Sequence, residues 1–478
     1  MLEIRKLVFV LLVSVLVCSQ LGLAGYVGED GTVMRFGKYS SPYSFVVEQF
    51  NSTHYQSINA SGYTYQSTNA SAVFQTAREG LGTLASGAKG DIFVKTGTYQ
   101  ISKDIILGKI THLHCEAGTV FNVTANLDCG AIVIDTTNVL YTDWAIEDVT
   151  INMNDFNGDG IYSTNASQTG SITKSAIKNI YIYGVKAGYA GINLTNAFVF
   201  DFNQIRISTN GIGIKLKLND VLIAGNGIWH DVYIGLGANG AVGLEVDESA
   251  TKHYTLMQFD RFQVYGVGYD DTVGIKLNGT QHCQFNKVDI EGCDIGVCLN
   301  DTDYIDFFAP FIWDSAVVSD CVGFFIEDGA TRNMIFGGTI QSATGAWSYV
   351  DNSTAGASPG DENSLSGVTV YKEWYIANSN TRFDRCYLWN TNSGSAKATF
   401  NTASRTVADD EWVPHYVSAT PTYVVFQVVT ATYDSVPVVV HCATSNSTHF
   451  QVTVYWTNGT AITADAISII WIAEHTGA

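Results

Sequence analysis

The sequence predicts a parallel β-helix, and two interleaved repeats predict it. The first repeat is a glycine followed by alternating apolar residues. It reads Gly191-Ile192-Asn193-Leu194, Gly213-Ile214-Lys215-Leu216, Gly243-Leu244-Glu245-Val246, Gly274-Ile275-Lys276-Leu277, Gly296-Val297-Cys298-Leu299 and Gly323-Phe324-Phe325-Ile326. These glycines return every 22–31 residues, a period expected of a solenoid with strands in each turn. The second repeat lies between them: Ile205-Arg206-Ile207, Val232-Tyr233-Ile234, Phe262-Gln263-Val264, Val288-Asp289-Ile290 and Phe311-Ile312-Trp313. Strand side chains alternate faces, so the flanking pair points inward and the middle residue outward. A β-sandwich with irregular loops would give alternating strands without the regular return of the glycine.

Taken in order, residues 1–24 read as an export signal. Arg5 and Lys6 precede an apolar run from Leu7 to Val17, and Gly22-Leu23-Ala24 supplies small residues for cleavage. The run is too short for an ordinary span; an uncleaved anchor is the alternative. Residues 25–69 are rich in turns and tyrosine and read as a β-rich leader. Ala70, Val73, Phe74, Ala77 and Leu81 recur at helical spacing, with Asn69 or Ser71 as cap. Such a helix would cover the open end of the solenoid, where a bare sheet edge invites association. The β-helix extends over 70–395. From residue 401 to 478 come β-branched runs such as Tyr423-Val424-Val425-Phe426 and Phe450-Gln451-Val452-Thr453-Val454, separated by turn residues. These predict a small antiparallel β-sandwich.

Gly90-Asp91-Ile92-Phe93-Val94, then Gly97-Thr98-Tyr99-Gln100-Ile101, follow the capping helix. This order resembles the start of the pectate-lyase-like superfamily of right-handed parallel β-helices, over roughly residues 70–350. The resemblance implies the fold. It leaves activity open, because that superfamily holds lyases, hydrolases, viral tailspikes and non-catalytic surface proteins. Polygalacturonase-type members carry Gly-His-Gly with paired aspartates, and no Gly-His-Gly occurs in this chain. Pectate lyases use an arginine base beside acidic calcium ligands; Arg261 with Asp231 and Asp289 is loosely similar. Trp412 to Thr422 and the closing Ile470-Trp471-Ile472-Ala473 are similar to small β-domains on viral fibres and microbial surface proteins.

A formal net charge of −20 excludes nucleic acid and anionic membrane as general partners, since both need clustered cations. Without Cys18 eight cysteines remain, an even number that suggests disulfides outside the cell. Cys293 with Cys321, and Cys115 with Cys129, are candidate pairs; buried free thiols are the alternative. Acceptor triplets for N-glycosylation begin at Asn51, Asn59, Asn69, Asn122, Asn165, Asn193, Asn278, Asn300, Asn352, Asn446 and Asn458. Behind an export signal they predict a secreted or cell-surface glycoprotein. An Asn/Ser/Thr-rich β-helix makes some such triplets by chance.

Stacking the second repeat predicts three outward files. One is Gln204, Asp231, Arg261, Lys287, Pro310. The next is Arg206, Tyr233, Gln263, Asp289, Ile312. The third is Ser208, Gly235, Tyr265, Glu291, Asp314. Rungs lie ~4.8 Å apart and alternate residues on a strand ~6.6 Å apart. Carboxylates, cations and flat rings then mix on one face, as recognition of an extended sugar chain requires. Arg206, Tyr233, Gln263, Tyr265 and Lys287 are the candidate ligand-binding residues. Asp289 and Glu291, with Asp231 and Arg261, are the candidate catalytic set. A ~6.6 Å separation sits near the lower end for inverting glycosidases, with one carboxyl as acid and one activating water. A solvated charge ladder would use the same letters.

Asp155-x-Asn157-x-Asp159-Gly160 matches the opening of a calcium loop, but position 166 is alanine where the bidentate acid belongs. No cofactor is required by this reading, and calcium is the candidate one. His112 and His114 share a face, with no third ligand evident. Neighbouring His230 and Asp231 point to opposite faces. The leading function is binding of extracellular polysaccharide. A polysaccharide lyase or glycosidase, and a structural fibre protein, are the alternatives. A homotrimer is a candidate assembly.

Overall fold

The computed structural model describes residues 25–27, 33–35, 43–60, 64–82, 89–108, 110–136, 142–164, 175–218, 224–247, 253–313, 322–327, 329–341, 347–353, 363–371, 373–376, 381–384, 386–389, 411–414, 423–430, 438–445, 449–456 and 468–474. Two units are distinct, Met1–Tyr43 and Ser44–Ala478. In the first, Gly25–Val27 pairs antiparallel with Val33–Arg35.

The second unit holds the parallel β-helix. Its repeating glycines begin one face, an eleven-stranded parallel sheet running from Ile105–Leu107 to Glu373–Ile376. Along it Ile161, Ile192, Ile214, Leu244, Ile275, Val297, Phe324 and Tyr349 stand in register on successive rungs. The remainder of each coil is a two-legged strand run. Phe198–Thr209 pairs parallel with Ala224–Leu236, and that strand with Gln258–Tyr265. Inward residues of the second leg form a β-branched file: Ile182, Ile207, Ile234, Val264, Ile290, Ile312 and Ile340. Inward residues of the first leg form an aromatic file. Trp229, Phe259, Phe285 and Phe307 stack nearly parallel at centroid spacings of 5.9, 4.3 and 4.7 Å. Full burial of each such side chain stabilises by roughly 1.5–3 kcal/mol.

The glycines serve space rather than backbone rotation. A methyl on Gly243 would lie 2.4 Å from the Gly274 carbonyl oxygen and 2.8 Å from both Val264 methyls. Gly213, Gly274, Gly296 and Gly323 repeat the conflict, each against the next rung's carbonyl and an isoleucine of the β-branched file. At this line the eleven-stranded sheet contributes no side chain, and the β-branched file packs directly on its backbone.

A second device bends each coil. Asp148, Asn179, Gln204, Asp231, Arg261, Lys287 and Ala309 all have φ between 48° and 63°. One left-handed residue per rung separates the two legs, and the next rung places Gly337 there at φ 61°. L-residues visit this region at a cost, so a vertical file of them marks a fixed corner.

At the amino-terminal end, Ala70–Gly80 forms the expected helix. The Asn69 side chain caps it by accepting from the Ala72 N–H. Ser71 does not cap; its hydroxyl donates to the Lys103 carbonyl. Phe74 packs edge-on against Tyr99 and Phe121, closing the first coils. From Ser44 on, the leader belongs to the same unit as the β-helix. Phe45–Asn51 runs parallel to Gly90–Val94 and continues the stack, then folds back antiparallel on His54–Asn59. At the carboxyl end, Glu411–Pro414, His449–Trp456 and Val438–Ser445 form one antiparallel sheet, and Tyr423–Thr430 with Ser468–Glu474 another.

The pairing of Cys115 with Cys129 is corrected: both are free thiols. Cys115 points into the core, whereas Cys129 sits at a turn where its N–H donates to Asp104. Cys321 lies outside the described residues, as do Asn165, Asn446 and Asn458. Three further acceptor asparagines have structural duties. Asn69 is the helix cap, Asn122 accepts from both Asn152 and Asn154, and Asn193 donates to Asp159. Asn51 is exposed.

Gly243→Ala is expected to lower stability by about 1–3 kcal/mol through overpacking. Gly235→Ala, whose added carbon would meet nothing closer than 3.9 Å, is expected to change it by under about 0.5 kcal/mol. Chemical denaturation of both variants checks the contrast.

Candidate functional site

The stack brings Arg206, Tyr233, Gln263 and Asp289 into one file on successive rungs. Thr150 and Tyr181 extend it upstream and Phe311 extends it downstream. Ile312, expected in this file, instead points inward and sits over Ile290. Apolar residues occupy both faces of Phe311–Trp313, so alternation alone could not choose between them. The next file is Ser208, Gly235, Tyr265, Glu291 and Trp313; Asp314 lies outside the described residues. Gln204, Asp231, Arg261 and Lys287 are not ordinary strand positions. They are the left-handed corner residues, and Ala309 rather than Pro310 completes their file.

Corner file and neighbouring strand file together line a groove of about 1420 Å³. It extends from Ala117 and Gly118, past Asp148 and Asn179, to Ala309 and Phe311. Eight rungs at ~4.8 Å give it a length of roughly 34 Å. No residue of 43–69 lines it among the described residues. Aromatic side chains stand out along this side: Tyr181, Tyr233, Tyr265, Phe311 and Trp313 are 39–44% exposed. Tyr181 also stacks on Tyr183 at 5.1 Å. Sequence reasoning found Tyr233 and Tyr265 but missed Tyr181, Phe311 and Trp313. The signal for Tyr181 lay in Ile180-Tyr181-Ile182, an earlier copy of the second repeat.

The charges in the groove balance. Arg206, Arg261 and Lys287 face Asp148, Asp231 and Asp289. Arg261 clasps Asp231 from the next rung, with Nε and Nη2 each 2.8 Å from one carboxylate oxygen. Its Nε also lies 3.5 Å from Asp260, which His230 approaches at the same distance. His230 thus pairs across rungs with Asp260 rather than with its sequence neighbour Asp231. Arg206 and Lys287 form no ion pair among the described residues.

Asp289 is the least satisfied acid in the groove. Gln263 Nε2 donates to one oxygen at 3.1 Å. The other oxygen is buried without a partner among the described residues. Burial pushes the Asp289 carboxyl above its ordinary pKa, opposed by that hydrogen bond. Glu291, two residues along, is raised by burial and then by the charge of Asp289. Both carboxyls are thus biased toward the protonated form, as a general acid requires.

The calcium-loop residues do not converge. Asp155 is exposed and lies 3.4 Å from Asn210 Nδ2. Asn157 Oδ1 accepts from Lys186 Nζ. Asp159 is turned into the next rung, accepting from the Ala190 N–H and from Asn193. The letters serve turn and ladder geometry. The pair His112 and His114 does acquire a third neighbour, Asp91, from the preceding rung.

No protein-family model matches the chain, and no curated protein matches its sequence. Solved structures similar to it include the tailspike protein of E. coli bacteriophage HK620 in complex with pentasaccharide. That match has 9% identity and a TM-score of 0.40, covering 95% of this chain and 97% of that one. The tailspike gp49 from Pseudomonas phage LKA1 matches with 11% identity and a TM-score of 0.40, over 84% of this chain and 95% of that one. The A-module of the mannuronan C-5 epimerase AlgE6 from Azotobacter vinelandii matches with 11% identity and a TM-score of 0.33, over 67% and 95%. Likeness at this level carries no argument about activity, which rests on the groove itself. Among the described residues no helix is long and apolar enough to cross a membrane.

The raised Asp289 pKa has a definite sign. The folded chain favours the protonated acid, so its stabilising contribution is complete at low pH and is lost as pH rises through the folded value. Asp289→Asn keeps a neutral polar group there. Its melting temperature is expected to gain on the wild type as pH rises from about 3 to 7. Melts across that range check it, and Glu291→Gln is expected to show the same trend more weakly.

Proposed function

We propose that this chain binds an extended polysaccharide along the groove and acts outside the cell or at a surface, as an export signal over residues 1–24 would imply. The observation that carries the reading is the alignment of exposed aromatic rings with a file of polar side chains. Tyr181 and Tyr233 offer flat faces to sugar rings, two rungs apart in one file. Arg206 between them, and Gln263 and Asp289 beyond, offer donors and acceptors for hydroxyls. Apolar area with a few placed polar groups is the usual make-up of a ligand site. A repeating groove suits a repeating polymer. Equal numbers of cations and carboxylates favour a neutral or sparsely charged glycan over a polyanion.

A second reading is favoured by one observation, the buried oxygen of Asp289 that has no partner among the described residues. A carboxyl whose ionisation is opposed by burial, two residues from Glu291, is suited to acid–base cleavage or elimination. Asp231 is less suited to that work because Arg261 occupies its carboxylate.

Incubation with a panel of linear glycans tests both readings. Retention without new reducing ends or unsaturated products supports binding alone. Products that disappear in Asp289→Asn support the enzyme. No retention of any glycan removes both. For a retained glycan, Tyr233→Ala and Tyr181→Ala are each expected to weaken affinity about two- to tenfold, the loss of ~0.5–1.5 kcal/mol of ring stacking. Trp347→Ala, on the eleven-stranded sheet, is expected to leave affinity unchanged. Calorimetric titration measures all three.

A further inference from the structure

The first coils carry a cluster that the groove does not use. Gly90–Val94 lies parallel to Thr111–Val123 with Asp91 opposite His112 and Phe93 opposite His114. Asp91 Oδ1 is therefore 2.9 Å from His112 Nδ1 and 3.8 Å from His114 Nε2. One donor atom from each of the three lies within 4.8 Å of the other two. A tetrahedral zinc site with bonds of ~2.0–2.1 Å spaces its ligand atoms roughly 3.3 Å apart, and the two observed separations bracket that value.

The far sides of both imidazoles are also occupied. His112 Nε2 lies 3.1 Å from the Asp143 carbonyl oxygen, and His114 Nδ1 lies 2.9 Å from Glu147 Oε2. A metal-ligating histidine characteristically donates its other ring N–H to a carbonyl or carboxylate, which fixes tautomer and orientation. Both histidines have such a partner, on the side away from Asp91. A single structural His–Asp hydrogen bond would need one histidine; here two converge on one carboxylate oxygen.

We propose that Asp91 Oδ1, His112 Nδ1 and His114 Nε2 bind a divalent transition-metal ion of the zinc class. Two imidazoles and one carboxylate suit zinc or cobalt rather than calcium or magnesium, which take all-oxygen shells. Three protein ligands leave a fourth position for water. The ion ties two successive coils together at the helix-capped end, so binding stabilises the fold.

The test uses the untagged full chain after dialysis against a chelator. Zinc is titrated calorimetrically, and cobalt is followed by visible absorption. The expected result is one ion per chain, tetrahedral cobalt bands, and a melting midpoint raised by at least about 2 °C with excess zinc. Calcium is expected to produce none of these. His114→Gln, at the most accessible ligand, is expected to abolish the bands and the shift. Glu147→Gln is expected to weaken zinc by about ten- to a hundredfold. Absence of stoichiometric zinc and of cobalt bands in the wild type overturns the proposal, whether or not the variants fold. So does a His114→Gln chain that binds as the wild type does.

Discussion

The close approach of the β-branched file to a bare glycine backbone is the constraint on which the rest depends. At the glycine line, the carbonyl of one rung and an isoleucine or valine of the opposite face fill the volume that a Cβ would need. Where Gly191, Gly213, Gly243, Gly274, Gly296 and Gly323 stack, the eleven-stranded sheet can press directly on the β-branched file. A one-residue slip would drive a side chain into that contact and turn the apolar set outward. The glycines therefore set register as well as spacing, and register decides which residues meet on the outside.

The outer face follows from the same registration. The β-branched file that packs under the glycines includes Ile207, Ile234, Val264 and Ile290. These are the inward neighbours of Arg206, Tyr233, Gln263 and Asp289. Fixing the one fixes the other. The left-handed corner then turns Asp231, Arg261 and Lys287 toward the same groove. Because Arg261 spends its charge on Asp231, the polar character there is carried by Arg206, Lys287 and the incompletely bonded Asp289. The field is mixed in sign despite the acidity of the whole chain.

Much of this was legible in the residues. The period of the glycines identified the coils, and the apolar–variable–apolar triplets placed Arg206, Tyr233, Gln263 and Asp289 in one file. The misplacements have one cause. Where both faces of a strand are apolar, as at Phe311–Trp313, the letters carry no direction, and only the left-handed corner shared with neighbouring rungs supplies it. That corner was itself hidden, because Asp, Asn, Gln, Arg, Lys and Ala take the left-handed conformation where glycine would have announced it. The partner of His112 was hidden too. Asp91 is 21 residues away in the chain and becomes adjacent only after one full turn of the helix.

The corner has a further consequence for how such a protein changes over generations. From Asn179 to Ala309 each rung passes the bend on one left-handed residue, while the whole coil varies from 22 to 31 residues. Length is thus free to drift on the far side, and the groove keeps an unbroken pitch. Each rung contributes a few interchangeable letters to a continuous line, above a scaffold that does not read them. A lineage under pressure to meet a new partner can revise that line letter by letter without renegotiating how the chain folds.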